Sequence, residues 1–209
     1  MTTARATLTA PARFPTLIDL VRPADASASR VFDVAAILVA SLFVAAAAQL
    51  SIPTPWGVPF VCSDIAALLV GVALGPWRGA AALFVYMMQG LMGLPVFAHG
   101  TAGFPPVTFG FILGFIPAAG LAGLLAQRGW DRSPVRLSAA LALSQIVIYI
   151  GGVAWLSLAA LQGVANAPSA TFGAIMMAGV VPFLPVAAVK IAVAVALVPA
   201  AWRLIGRTR

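Results

Sequence analysis

The chain has 209 residues, of which 62% are hydrophobic and only 8% are charged, and its mean hydropathy is +1.06. Because soluble domains carry about 25% charged residues, a chain of this composition cannot cover a water-facing surface, and we predict an integral membrane protein. The formal net charge of +7 does not indicate a nucleic-acid-binding protein, since the basic residues flank apolar segments instead of clustering on one wet face.

Residues 1–30 are polar, contain arginines and lack glutamate. This composition loosely resembles an organellar transit peptide, but the segment has no apolar core of the kind found in secretory signals. The plainer interpretation is a cytoplasmic tail whose arginines fix the orientation of the first helix. The predicted organisation is therefore this tail, a transmembrane substrate-binding domain over residues 31–203, and a second cytoplasmic tail over residues 204–209.

Apolar runs alternate with breaks rich in proline and glycine, and a helix needs about 20 mostly apolar residues to span a bilayer. The pattern predicts an all-α integral membrane fold with six transmembrane helices. The predicted helices run from about 31 to 52, 60 to 74, 80 to 96, 107 to 127, 137 to 161 and 178 to 202. The second is short, and Gly71 and Gly75 favour close packing against a neighbouring helix over exposure to lipid.

The arginines indicate the orientation of these helices, because cytoplasmic loops collect Lys and Arg. With the N-terminus inside, every arginine falls on the cytoplasmic side: in the two tails, in the turn at Arg78, and in the loop that carries Arg128, Arg132 and Arg136. The predicted outer loops contain no Lys, Arg, Asp or Glu; they are residues 51–59, 98–106 and 162–170. Both termini are therefore predicted to be cytoplasmic.

Few polar side chains lie within the predicted helices. They are Asp64 in the second helix, Tyr86 and Gln89 in the third, Gln145 and Tyr149 in the fifth, and Lys190 in the sixth. A charge in the hydrocarbon layer costs about 2.5–3.5 kcal/mol on insertion scales, so Asp64 and Lys190 are the first candidates for functional groups.

These polar groups are predicted to share a pocket in the outer half of the membrane. Asp64 and Lys190 both lie near the outer ends of their helices, and the series from Tyr86 to Phe97 recurs at the three- and four-residue spacing of one helix face. The predicted substrate-binding residues are Lys190, Asp64, Tyr86, Gln89, Gly93 and Phe97. The outer loops, rich in proline, glycine and aromatic residues, suit a lid over a small ligand, although proline and glycine also simply end helices.

A purely structural interpretation of the same residues stays open, in which Asp64 and Lys190 form an ion pair that fixes helix register. An enzyme is not expected. The sequence has no phosphate-binding loop with which to hydrolyse ATP, and the lone His99 and lone Cys62 cannot form a catalytic set or a metal site. No cofactor is expected.

The segment LGPWRGAAALFVYMMQGLMGLPVFAHG, residues 74–100, resembles the core signature of the BioY family of biotin transporters, in which Gly-Pro-x-Arg-Gly is followed by a helix ending in Gly-Leu-Pro-Val-Phe-Ala. Three further stretches are similar to the family: QLSIPTPWGVPF at 49–60, GFILGF at 110–115 and PFLPVAAVK at 182–190.

The resemblance implies a subunit of the bacterial inner membrane that captures biotin, or a close analogue, from outside. Such subunits serve energy-coupling-factor (ECF) transporters and join a transmembrane coupling subunit and two ATP-binding subunits, although some members are suspected to work alone. The family docks on its coupling subunit through an Ala-x-x-x-Ala pattern on the first helix, which Ala36 and Ala40 match here.

The chain also departs from the family pattern. Val186 and Ala187 stand where the family usually has Gly-Asp, so the acid expected three residues before the lysine is absent, and Asp64 stands where the family commonly has Thr. Lys190 can meet the carboxylate of biotin, or it can polarise the ureido oxygen while an acid receives the ring N–H groups. The sequence leaves both orientations open, together with two other functions: a proton-coupled carrier that uses Asp64, and a non-transporting structural subunit.

Overall fold

In the computed structural model, which describes residues 14–52 and 60–206, the chain folds almost entirely into α-helices, and the predicted all-α class is confirmed. The helices are α1 (Ala26–Gln49), α2 (Ser63–Leu74), α3 (Pro76–Leu91), α4 (Phe109–Ala126), α5 (Pro134–Leu161), α6 (Phe172–Gly179) and α7 (Leu184–Gly206). Two antiparallel two-residue strands, β1 (Ser51–Ile52) and β2 (Phe60–Val61), pair at the base of the first loop.

In the described part of the chain, 4 helical segments are long and apolar enough to cross a membrane. They are α1, α4, α5 and the run Phe172–Ala196, which covers α6 and the first part of α7. The 12 residues of α2 and the 16 of α3 correspond to about 18 and 24 Å, less than the roughly 30 Å of a hydrocarbon core. Six complete spans therefore remain a prediction.

The third helix ends earlier than predicted, at Leu91 instead of about residue 96. Gly93 has a φ of 97°, which an α-helix cannot contain, and Leu94 precedes Pro95, which disfavours the helical conformation. Gly93 and Phe97 therefore do not continue the helical face that begins at Tyr86, and that part of the prediction is wrong.

The predicted sixth helix, 178–202, corresponds to α7, which begins later than predicted, and a separate short helix, α6, precedes it. α6 ends at Gly179, and a 3₁₀ turn, Val181–Phe183, precedes α7. The break coincides with Pro182, which has no N–H to donate to the preceding turn. Lys190 consequently lies two turns inside α7, as the sequence suggested for a helix that starts after this proline-containing stretch.

The centre of the fold is a close packing of α2, α3 and α4. A Cβ atom on Gly71 would lie 2.3 Å from the backbone oxygen of Ala119, and one on Gly79 would lie 2.8 Å from the Cα of Gly71. The backbones of these helices therefore touch, as the glycines of the short second helix predicted.

A cluster of charges, of which Arg78 and Asp33 are buried, connects the turn between α2 and α3 to the start of α1. The guanidinium of Arg78 contacts Asp19 (Nη1–Oδ1 2.8 Å) and Asp33 (Nε–Oδ1 2.9 Å), and Arg22 also pairs with Asp33 at 2.8 Å. Partial burial raises the pKa of Asp19, but hydrogen bonds from Arg78 and Thr16 outweigh it, so the pKa lies below its usual value. This charge cluster places the α2–α3 turn level with the N-terminal end of α1.

Candidate substrate-binding site

A cavity of about 630 Å³ lies between the helices and the loops at one end of the bundle. Side chains of α2, α3, α4, α5 and α7 line it, together with residues of the two loops that follow α3 and α5. Most of its lining is apolar, with a few polar groups that converge from different helices. This is the usual composition of a pocket for a small organic molecule.

An ion pair forms the charged part of the cavity wall. Lys190 Nζ lies 2.7 Å from Asp64 Oδ1 and also donates to the backbone oxygen of Val61. The Lys190 side chain is 6% exposed and the Asp64 side chain 19% exposed, so the carboxylate is the more exposed partner, and both residues line the cavity. Asp64 lies in the first turn of α2, where the helix dipole favours a negative charge.

An aromatic wall stands beside this pair. Tyr86 of α3 and Phe97 of the following loop pack edge to face, with ring centroids 5.6 Å apart. Phe97 fits there because Gly90 has no side chain, since a Cβ on Gly90 would lie 2.1 Å from the Phe97 ring. Phe111 and Phe115 of α4 line the cavity as well. The loop thus returns Phe97 to the site although the helix ends before it.

α5 contributes a polar face that was named in the sequence but not predicted to bind substrate. Gln145, Ile148, Tyr149 and Leu156, at positions i, i+3, i+4 and i+11, lie on one face of α5 and line the cavity. The signal in the sequence was that Gln145 and Tyr149 lie four positions apart within an apolar helix long enough to span a membrane. It did not distinguish a pocket-facing pair from ordinary interhelical hydrogen bonding.

The structure brings together four of the six predicted substrate-binding residues, namely Lys190, Asp64, Tyr86 and Phe97. Gln89 and Gly93 are not part of the cavity lining. The Gln89 amide donates to Ser41 Oγ of α1 at 3.3 Å, since it lies about 60° around α3 from Tyr86. Gly93 stands where a Cβ would meet nothing within 4 Å.

The first outer loop, predicted to act as a lid, lies mostly at residues 53–59, outside the described residues. Its base is held by the β1–β2 pair and by His99, whose Nε2 lies 3.1 Å from Ser51 Oγ. The Gln49 amide also donates to the backbone oxygen of Phe97 at 3.1 Å. The start of this loop is therefore attached to the segment that carries the aromatic wall.

The predicted docking pair on α1 turns inward. Ala40 is 6% exposed and belongs to the hydrophobic core, and Ala36 is half-buried against that core. The surface of α1 that a partner helix or lipid can reach includes Ala35, Val39 and Leu42 instead.

Comparisons with known proteins agree on one family. The BioY family model matches residues 22–207. The chain is 35% identical over 164 residues to the "Biotin transporter BioY" of Rhodobacter capsulatus, covering 75% of this chain and 85% of that protein. It is 33% identical over 154 residues to the "Probable biotin transporter BioY" of Pyrococcus horikoshii, covering 72% and 83%.

One solved structure has a similar fold. It is the S-component for biotin from an ECF-type ABC transporter, which matches with a TM-score of 0.66 and covers 86% of this chain and 95% of that chain. Sequence identity is 20%, so this likeness concerns the fold alone.

Proposed function

The chain belongs to the BioY family, and from this premise we propose that it takes up biotin across the bacterial cytoplasmic membrane as a substrate-capture subunit. Residues 31–203 would form its transmembrane domain, with six spans and with both terminal tails, 1–30 and 204–209, in the cytoplasm. The observation that carries the proposal is a cavity lined both by the Asp64–Lys190 ion pair, whose lysine is buried, and by an aromatic wall.

Biotin offers complementary groups to this cavity. Its fused ring system carries a neutral ureido group, with one oxygen that accepts hydrogen bonds and two N–H groups that donate them, and its valerate tail ends in a carboxylate. The Asp64–Lys190 pair combines a cationic donor with an anionic acceptor, and the aromatic wall suits the apolar parts of the ligand.

The pairing of Lys190 with Asp64 favours one of the two ligand orientations. A biotin carboxylate placed at Lys190 would also lie beside the Asp64 carboxylate, and like charges at such a distance repel. A ureido group adds no charge, since its oxygen can accept from Lys190 while an N–H donates to Asp64. The ureido end therefore occupies the ion pair, and the tail runs towards Thr101 and Asn166 of the outer loops, where water can solvate its carboxylate.

Binding measurements on purified protein test both parts of this proposal. Radiolabelled biotin should be retained, and biotin methyl ester, which lacks the charged carboxylate, should compete with at most a modest loss of affinity. Failure to retain biotin would refute the function. A large loss for the ester that disappears in Lys190→Met would instead place the carboxylate at Lys190.

Uptake in this proposal is powered by other proteins. The chain has no phosphate-binding loop, so ATP hydrolysis would come from an ECF coupling subunit with two ATP-binding subunits, unless the chain works alone. We retain α1 as the docking helix. The exposed surface at Ala35 and Val39 is a better candidate for that contact than Ala36 and Ala40, because Ala40 is already buried within this chain.

A further inference from the structure

The hydroxyl of Tyr149 is a buried hydrogen-bonding group with no partner in the described residues. Tyr149 lines the cavity. A buried donor without a hydrogen-bond partner destabilises the folded protein, and such groups are rare in native structures. Gln145 lies one helical turn earlier and is near enough to influence this hydroxyl, but no hydrogen bond joins the two side chains. An unsatisfied donor in the wall of a cavity is an expected feature of a site whose ligand supplies the acceptor.

The position of Tyr149 places this donor at the charged end of the cavity. α5 contacts both α2, which carries Asp64, and α7, which carries Lys190, and the side chains of Tyr149, Asp64 and Lys190 line the same cavity. The three helices therefore bring Asp64, Lys190 and Tyr149 to one region of the wall.

We propose that Tyr149 is a specificity-determining residue that donates its hydroxyl hydrogen to the ureido oxygen of the substrate, beside Lys190. This inference rests on the proposed function. A ureido oxygen has two lone pairs and can accept from both residues at once. Gln145, four residues earlier on the same face of α5, also lines the cavity, and we assign its amide oxygen to the second ureido N–H. The ion pair then selects a polar head group of zero net charge, and Tyr149 selects a head group that carries an oxygen acceptor.

The alternative partner for Tyr149 is the biotin carboxylate, and the two can be separated with two ligands. Tyr149→Phe removes only the hydroxyl and keeps the ring. If the hydroxyl meets the ureido oxygen, the substitution weakens biotin and biotin methyl ester by the same factor, about threefold to tenfold for one neutral hydrogen bond. If the hydroxyl meets the carboxylate, the loss appears with biotin and is much smaller with the ester.

Measurements on the ligand-free protein distinguish a structural role of the Tyr149 hydroxyl from a role in ligand binding. Because the Tyr149 hydroxyl has no partner among the described residues, the thermal midpoint of ligand-free Tyr149→Phe should be equal to or slightly higher than that of the wild type. Gln145→Met, similar in length and without the amide, is the second variant and should also weaken both ligands equally.

The experiment is isothermal titration of the purified full chain, wild type and both variants, with biotin and biotin methyl ester. Equal losses for the two ligands support the inference. Unchanged affinity in Tyr149→Phe, or a loss confined to biotin, overturns it while leaving the proposed function intact. Absence of biotin binding by the wild type refutes the proposed function itself.

Discussion

The ion pair between Lys190 and Asp64 lowers the free-energy cost of placing either charge inside the helix bundle. A buried charge without a partner is strongly destabilising, whereas a paired one gains little over apolar packing. The 2.7 Å contact therefore predicts that removing only one partner harms the ligand-free protein more than removing both. This expectation differs from that for an isolated lysine awaiting a ligand, for which loss of the charge would stabilise the empty site.

Lys190→Met should lower the thermal stability of the ligand-free protein, by about 1–3 kcal/mol, because it leaves Asp64 unpaired in a partly solvated cavity. Adding Asp64→Asn should restore part of that stability, since the double variant has no stranded charge. Both single variants and the double variant should bind biotin at least tenfold more weakly. Thermal midpoints with and without biotin, measured on all four proteins in detergent, provide the check.

If Lys190→Met bound biotin with the affinity of the wild type, the ion pair would have no role in biotin binding. Additive losses of ligand-free stability, with no recovery in the double variant, would mean that the two side chains are not coupled in solution. Ser169→Ala, on an exposed loop residue outside the cavity lining, is the control for handling effects, and it should match the wild type in both measurements.

Sequence reasoning found the charged residues of the cavity wall, whereas the helical spacing on α3 also selected Gln89 and Gly93, which do not line the cavity. Lys190 and Asp64 were predictable because a charge in hydrocarbon needs a reason. Gln89 lies outside the cavity lining because a polar residue near Tyr86 on α3 can also bond to a neighbouring helix, and here it donates to Ser41; its contact with substrate stays a prediction. Tyr149 was visible but not assignable, because helix packing decides whether a polar side chain faces a cavity.

At the scale of helices, the glycines of α4 provide a matched test of the close packing. A Cβ on Gly123 would lie 2.4 Å from the backbone carbon of Gly75, whereas a Cβ on Gly120 would meet its nearest neighbour, the backbone oxygen of Pro76, at 3.8 Å. Both residues are within the same helix, so their substitutions share any effect of helix propensity. Only one of them forces two backbones apart.

Gly123→Ala should therefore destabilise the protein, by about 1–3 kcal/mol as in other overpacked cores, and Gly120→Ala should be neutral or slightly stabilising. The measurement is the thermal midpoint of each variant in the same detergent. Similar midpoints for the two variants would contradict the contact between α4 and the α2–α3 turn.

The helices were predictable to the extent that apolar length and arginine placement determine them. Runs of about 20 apolar residues located α1, α4 and α5 to within a few residues. The ends of the third and sixth predicted helices were less accurate, because Gly93 and Pro182 interrupt runs whose composition stays apolar. Hydropathy follows composition, whereas helix ends depend on the backbone conformations that individual glycine and proline residues adopt.

For the whole molecule, two topologies differ in whether the α2–α3 hairpin crosses the membrane. By length alone these helices are short, and a re-entrant hairpin that returns to the outer side is the alternative to six spans. The charge cluster argues for crossing, because Arg78 in the hairpin turn contacts Asp33 near the start of α1 and Asp19 before it. If α1 spans the bilayer, the turn reaches the same surface as the α1 N-terminus.

A cysteine in place of Trp77, a residue of the hairpin turn that is 56% exposed, distinguishes these topologies. In a parent with Cys62→Ser, Trp77→Cys should resist a membrane-impermeant maleimide in intact cells and react after permeabilisation. Ala102→Cys, in the loop after α3, should react in intact cells, and Ser133→Cys, before α5, should behave like Trp77→Cys. Trp77 is next to Arg78 and Ser133 is next to Arg132. The positive-inside rule places both arginines in the cytoplasm, which is why both cysteines should be inaccessible from outside. Labelling of Trp77→Cys from outside, or from neither side, would contradict the six-span topology and support a re-entrant hairpin.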